Sequence, residues 1–450
     1  MHKTTESDYF IAQKRSRKIA KRQAHKRRLV RFRKRRVHNI RQIAKSHSNK
    51  YKSIILDFIR KGQKKAVGQN WTANKNKYSL NIELPSNFSI IHAPMDFLRV
   101  INNISSTPSE HLRKINIDHS QVKILDLAAE SILSLVVMEL KKETKHRLEL
   151  ISGYLPEDNK LDRYIRAIGI IKNLDVSDQC LTDEEQNSFR VFTMRSKRFY
   201  NSDVASAQGW KESAIQEFVN HINTCLNDNG KRLTKVARAK LSSYTGEILN
   251  NAEDHSGHEE VVIVGYLDNS HPLHLCEISI FNFGKTIAET FRDIPDNSYT
   301  KIEIDKYISV HSKWRFFGEK WSKNDLLTLV ALQGHISSKN YLKEDDRGQG
   351  TVDLIDFFQR MHRQCVSQDD SMAEMAILSG NTHIYFDGTY VMKPDNTGRK
   401  VIAFNKNNSL SELPDHKYVK NLGEYSFPGT IISIRFPMKS QNIESVQEEK

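Results

Sequence analysis

Residues 247–256 read Glu247-Ile-Leu-Asn-Asn251-Ala-Glu-Asp-His-Ser256, at the end of a helix expected over Leu233–Glu253. Glu247 and Asn251 are one helical turn apart, so they project from the same face. Magnesium takes oxygen ligands and keeps several waters, so a carboxamide and a carboxylate placed this way can hold a hydrated magnesium ion beside a water. A carboxylate one turn from the ion can polarise an attacking water. On its own the pair is weak evidence, because Asn and Glu on an exposed helix face are usually only solvated. His255 and His258 flank Gly257 at the helix end, where histidine complements the helix dipole; their spacing does not make a metal site.

What surrounds the string gives it weight. Downstream come two apolar strands, Glu260–Tyr266 and Leu275–Phe281, joined by the turn-rich DNSHP, which reads as a hairpin connection. The second strand runs into Asn282-Phe-Gly284-Lys-Thr286. A long uneven region, 285–346, holds a helix expected over Asn324–Gln333 with Ser322 as its cap. Asp346-Arg-Gly348-Gln-Gly350-Thr351 then opens a helix over Val352–Arg363. Strands are expected at Met375–Leu378, His383–Phe386, Lys400–Phe404 and Gly429–Phe436, the last beginning Pro428-Gly429-Thr430. Upstream lie a strand-like RVFTMRSKRFY at 190–200 and a helix over Trp210–Asn227. Helices interleaved with a mixed or antiparallel sheet describe an α+β sandwich.

Taken in order, these four boxes resemble the GHKL, or Bergerat-fold, ATPase superfamily of histidine kinases, gyrase-type topoisomerases, mismatch-repair ATPases and anti-sigma-factor serine kinases. The resemblance covers about residues 205–438. It implies ATP and Mg2+ as cofactors, with Asn251 as the magnesium ligand and Glu247 as the general base. It places Asn282 where the family has its adenine-reading Asp, Gly284 at the first glycine of that box, and Thr430 at the Thr supporting the adenine pocket. Gly348, Gly350 and Thr351 fall at the ATP lid, where backbone N–H groups at a helix start meet phosphates. Lys339, Lys343 and Arg347 lie in the same lid region, towards the γ-phosphate. Two positions depart from the family. Asn282 replaces an acceptor-only carboxylate with a group that also donates, and Thr286 stands where a second glycine would let the backbone approach the ligand. Glu247 suits hydrolases and serine kinases better than sensor histidine kinases. The preceding helix offers only His221 as a phosphoacceptor, and a packing role suits it better.

Residues 81–185 alternate strand-like and helix-like pieces, an α/β pattern: Phe88–Ile91, helix Met95–Ile104, strand Lys114–Ile117, helix Leu125–Glu143, strand Arg147–Ile151 and helix Leu161–Ile168. INIDHSQVKILDLAAESILSLVVMEL resembles a STAS domain, the fold of anti-sigma-factor antagonists, with an amphipathic helix after Asp126. That family's switch serine would fall at Leu127 or Ala128, which cannot be phosphorylated, so the phosphoswitch is not carried over. Asp118 and Ser120 read as turn residues. The resemblance implies a protein partner for this unit.

Charge singles out the first 65 residues. Of 450 residues, 69 are Lys or Arg and 54 are Asp or Glu, a formal charge of +15. Residues 1–65 hold 23 of the basic groups against Glu6, Asp8 and Asp57, leaving 46 basic and 51 acidic groups in the rest. No Pro or Gly occurs before Gly62, and a basic helical arm is expected. Its centre holds Lys14, Arg15, Arg17, Lys18, Lys21, Arg22, Lys26, Arg27, Arg28, Arg31, Arg33, Lys34, Arg35 and Arg36 with no acid between them. Like charges one turn apart repel, a polyanion relieves them, and counterion release rewards such density, so nucleic acid is the expected partner of residues 1–65. Tyr9, Phe10 and Phe32 are too few for stacking on single strands, which favours phosphate contacts.

No stretch approaches the ~18 apolar residues of a membrane span, and no apolar segment follows the basic start as in a secretory signal. The four cysteines stand far apart, without metal or disulfide spacing, so a reduced, cytoplasmic protein is expected. The organisation expected is an α/β and α+β multidomain chain: the arm at 1–65, a linker at 66–80, a STAS-like α/β domain at 81–185, a GHKL α/β sandwich at 186–440 and a polar tail at 441–450. The function expected is an ATP-binding, ATP-hydrolysing switch that contacts nucleic acid, in the setting of bacterial stress or phage defence, with a homodimer implied by resemblance. Two rivals stand beside it: a serine/threonine kinase of the anti-sigma type, and a nucleic-acid-binding assembly protein whose ATPase fold is inactive.

Overall fold

The computed structural model describes residues 52–62, 78–110, 112–144, 147–171, 181–182, 185, 189–195, 204–227, 230–256, 261–268, 275–292, 294–313, 321–334, 336–337, 349–365, 373–438 and 443–445. The chain is mixed α/β, with several sheets and ten helices among the described residues.

Helix α1 (Ile54–Gly62) comes first and is followed by β1 (Ser79–Glu83), β2 (Asn87–Phe88) and α2 (Pro94–Ser105). Then come β3 (Lys114–Asp118), β4 (Ile124–Leu125), α3 (Leu127–Glu143), β5 (Leu150–Tyr154) and α4 (Asn159–Ile168). β1, β3 and β5 form a parallel sheet in that order, as two successive strand–helix–strand crossovers require. Ser79 and Leu80, read as linker, are the first residues of β1. Residues 1–51, most of the arm, lie outside the described residues. Ile54–Gly62, read as the arm's end, is instead part of the body: Ile55, Leu56 and Ile59 are buried, and α1 packs on α2 and α3. Arg60 closes this contact through Glu143, with Nη2 to Oε2 at 2.9 Å, and donates Nε–H to the Ser105 carbonyl at 2.7 Å.

Asp126 begins α3. Its Oδ1 accepts from Ala129 N at 2.8 Å, and its Oδ2 accepts from Ser89 Oγ at 2.7 Å, Ile90 N at 2.5 Å and Ile91 N at 3.0 Å. One buried carboxylate thus caps the helix and pins the loop after β2. α3 was expected to be amphipathic; it is buried nearly all round, with Glu130, Ser134 and Glu139 buried among its apolar residues. One side packs with the parallel sheet and α2. The other lies on a second, larger sheet. Leu127 and Ala128 are fully buried there. Ser120 N donates to Asp118 Oδ1 at 2.8 Å, the local turn expected of these two residues.

The second half contributes β6 (Phe189–Arg195), α5 (Val204–Asn227), β7 (Lys231–Leu233), α6 (Lys235–Ser256), β8 (Val261–Asp268) and β9 (Leu275–Phe283). Helices α7 (Ile287–Thr290), α8 (Tyr299–Lys313), α9 (Lys323–Val330) and α10 (Gln349–Cys365) follow. The chain ends in β10 (Glu374–Gly380), β11 (Thr382–Phe386), β12 (Lys393–Pro394), β13 (Lys400–Val401), β14 (Val419–Asn421), β15 (Phe427–Pro437) and β16 (Ile443–Ser445). Seven of these strands make an antiparallel sheet in the order β14-β11-β10-β15-β9-β8-β6. Ile443–Ser445, within the stretch read as a polar tail, pairs with β7. The strand expected over Lys400–Phe404 shortens to Lys400–Val401, because the chain turns at Phe404, where φ is +54°.

Both faces of the large sheet are covered, so its central strands are apolar without alternation. Ile263, Ile278, Ile280, Ile377 and Ile434 face α5, α6 and α10, meeting Phe218, Leu249, Ile355 and Phe358. Val264, Phe281, Phe283 and Ile431 face the N-terminal unit and belong to one core with Leu133, Val137 and Ile117. A smaller cluster of Phe291, Ile304, Leu327 and Val330 sits under α7, α8 and α9. Among the described residues no helix is long and apolar enough to cross a membrane.

Candidate functional site

β9 and β15 lie side by side, with Asn282 directly opposite Thr430. Residues opposite each other in an antiparallel pair project to the same side. Since Ile278, Ile280 and Ile434 face the helices, alternation puts Asn282 and Thr430 on the helix-covered face as well. The same face carries α6, which bears Glu247 and Asn251, and α10, which begins at Gln349 and packs on α6. The strand ends and both helices named by the sequence boxes therefore share one side of the sheet.

Glycine makes the close approach. Gly284 (φ +130°) donates its N–H to the Pro428 carbonyl at 3.0 Å, and Gly429 has φ +141°. A Cβ on Gly429 would lie 2.0 Å from the Asn282 carbonyl oxygen, so only glycine lets β15 lie against β9 here. From β10, Ser379 adds a hydroxyl to the group. Its Oγ is 2.8 Å from Thr430 Oγ1, accepts the Ile287 N–H at 2.8 Å, and lies 3.2 Å from the Gly429 carbonyl. Sequence reading missed Ser379, because only the pairing of β10 with β15 brings it to Thr430.

Thr286 has a local task. Its hydroxyl accepts from Glu289 N at 3.2 Å, while Glu289 Oε2 accepts from Thr286 N at 2.8 Å, a capping box that starts α7. The T-x-x-E spacing carried that signal in the sequence. Asn282 differs from its neighbours. It is 3% exposed, and no described residue hydrogen-bonds its carboxamide. A carboxamide with no protein partner at a nearly buried position is open to pair with water or with a ligand edge that supplies donors or acceptors. That open hydrogen-bonding capacity lies on a face lined by Thr430 and glycine backbone.

The remaining candidates stand as follows. Gly350 and Thr351 are half-buried in the first turn of α10. Gly348, Lys339, Lys343 and Arg347 lie outside the described residues, as do Lys14 to Arg36. Glu247 and Asn251 have their backbones in α6, four residues apart; their side chains lie outside the described residues. His221 Nε2 is 3.7 Å from Cys225 Sγ, and its ring is 5.7 Å from that of Phe192, which is a packing position.

A second polar feature lies on the opposite face, under the N-terminal unit. Glu277 on β9 is fully buried; it accepts the Leu127 N–H at 2.8 Å and lies 3.1 Å from Arg435 Nη2 of β15. Arg435 also donates to the Leu125 carbonyl at 3.0 Å. Burial pushes the Glu277 carboxyl above the usual range against the pull of Arg435, with Asp126 pushing the same way. Burial is the largest influence and opposes the charge on Arg435, but Glu277 together with Tyr266, Tyr164 and Asp126 outweighs it and holds the guanidinium charged. The pair ties the start of α3 to the two strands that carry Asn282 and Thr430.

No family model matches the chain, and no curated protein or solved structure matches it.

Proposed function

We propose that the chain is an ATP-binding, ATP-hydrolysing switch of the GHKL type, with a STAS-like unit and a basic arm that contacts nucleic acid. The observation carrying this reading is the pairing of Asn282 with Thr430 on the sheet face covered by α6 and α10. The described elements that carry or adjoin the four sequence boxes, β9, β15, α6 and α10, share that side of the sheet, and a nearly buried carboxamide there has no partner among the described residues. In this reading Asn282 and Thr430 hold the base, and the glycine backbone at Gly284 and Gly429 lets it approach. The start of α10 with Gly348, Gly350 and Thr351 offers N–H groups to phosphates. Asn251 holds the magnesium ion, which supplies charge neutralisation on the phosphates. Glu247 takes a proton from the attacking water. The Glu277–Arg435 contact supports a coupling between this site and the N-terminal unit, since any shift between β9 and β15 is felt at α3.

Hydrolysis of ATP by the full-length protein tests the reading. Magnesium-dependent turnover is expected in the wild type. In Glu247→Ala it should fall at least 100-fold with nucleotide binding retained, the scale of a lost general base. Equal turnover in both would remove Glu247 from the mechanism. Phosphate transferred to serine or threonine of a second protein would instead favour the kinase.

A further inference from the structure

Resting on the nucleotide reading above, we infer that Asn282 makes this site a reader of both purines, binding guanine nucleotides as well as adenine nucleotides. Asn282 is fixed by backbone pairing on both sides, to Val261 of β8 and Thr430 of β15, so the point from which its side chain leaves the sheet is set. It is 3% exposed and has no hydrogen-bond partner among the described residues. A carboxamide presents an acceptor and a donor side by side, and a half-turn of the group exchanges them. The Watson–Crick edge of adenine offers an amino donor beside a ring-nitrogen acceptor. Guanine offers a carbonyl acceptor beside a ring N–H donor, with its 2-amino donors beyond them. Each edge satisfies one orientation of Asn282. An ionised aspartate could only accept: it takes the adenine amino group, and it takes guanine only if the base slides along its edge, away from the position where its carbonyl meets residue 282, to present the ring N–H and 2-amino donors.

The neighbouring groups have no fixed sign either. Thr430 and Ser379 hydroxyls are 2.8 Å apart, and either can be the donor. With Thr430 donating to Ser379, Thr430 faces the ligand as an acceptor; with the bond reversed, its hydrogen is free to be donated. Ser379 tolerates both, because it already accepts the Ile287 N–H and has the Gly429 carbonyl 3.2 Å away. The nearby Glu289 carboxylate is turned to Thr286 through Oε2, at 2.8 Å from its N and 3.0 Å from its Oγ1. Discrimination between purines needs a group of one sign that the wrong base leaves unpaired, and none is present among these residues.

The test is fluorescence titration of the full-length protein with ribose-labelled ATP and GTP, each with magnesium, for the wild type and Asn282→Asp. Wild-type affinities for the two should agree within about tenfold, and the aspartate, which takes guanine only in a displaced position, should weaken GTP about tenfold more than ATP. The wild-type ratio stands alone if the variant is unstable, and a thermal melt reports that. ATP binding preferred at least 100-fold in the wild type would overturn the inference and leave the nucleotide reading intact. Binding of neither nucleotide would overturn both.

Discussion

Gly429 is the residue on which the site's geometry turns. It combines φ +141° with a Cβ position 2.0 Å from the Asn282 carbonyl oxygen, so alanine there must push β15 away from β9. Gly429→Ala should cost about 2–4 kcal/mol of unfolding free energy in urea. Gly398→Ala is the control: it has φ +80° with nothing within 4 Å, and should lose only about 1–2 kcal/mol. Equal losses would mean that the contact with Asn282 is not what requires glycine. At this scale the sequence was partly legible. Pro428-Gly429-Thr430 stood out as a box, but the reason for its glycine is a strand 146 residues earlier by register, Phe283 opposite Gly429. Thr286 looked like an obstacle to ligand approach until its capping box with Glu289 gave it a local purpose. The isolation of the Asn282 carboxamide is a property of burial, which no local pattern carries.

Among the elements, α3 and the β9–β15 pair matter most, because they meet at Glu277 and Arg435. Glu277→Gln leaves a guanidinium facing a neutral group beside the start of α3, and should cost about 3 kcal/mol. Glu277→Met with Arg435→Met should recover at least half of that, as replacement of a buried pair by apolar side chains usually does. Chemical denaturation of the two variants decides; a double variant at least as unstable as Glu277→Gln would mean that the pair is needed as charges. Helices and strands over Pro94–Ser105, Lys114–Asp118, Val261–Asp268 and Gln349–Cys365 follow the sequence periodicity within a few residues. Two elements were misread for physical reasons. α3 has two apolar faces because two sheets flank it, and one sequence cannot show the second sheet. α1 was absorbed into the basic run, although Ile55, Leu56 and Ile59 carry a helical spacing of their own.

On the scale of the molecule, the N-terminal unit and the large sheet share a core, with α3 between them. The expectation of a STAS-like unit at 81–185 followed by a sandwich at 186–440 described the order of the chain and not this packing, which depends on contacts between distant residues. The basic arm is a separate matter of charge. If residues 14–36 meet phosphates, log affinity for duplex DNA should fall linearly with log salt, by about 0.9 per contact. Replacing Arg27, Arg28, Arg31 and Arg33 with Gln should lower that slope by about four, read by fluorescence anisotropy. An unchanged slope would place the binding elsewhere. The central claim is that a nucleotide sits on the face shared by β9, β15, α6 and α10. Hydrogen–deuterium exchange of the full-length protein, with and without ATP and magnesium, tests it most directly. The account predicts slowed exchange at residues 282–286, at the end of α6 over 247–256 and through 338–350. Unchanged exchange in all three stretches at saturating ATP would contradict it.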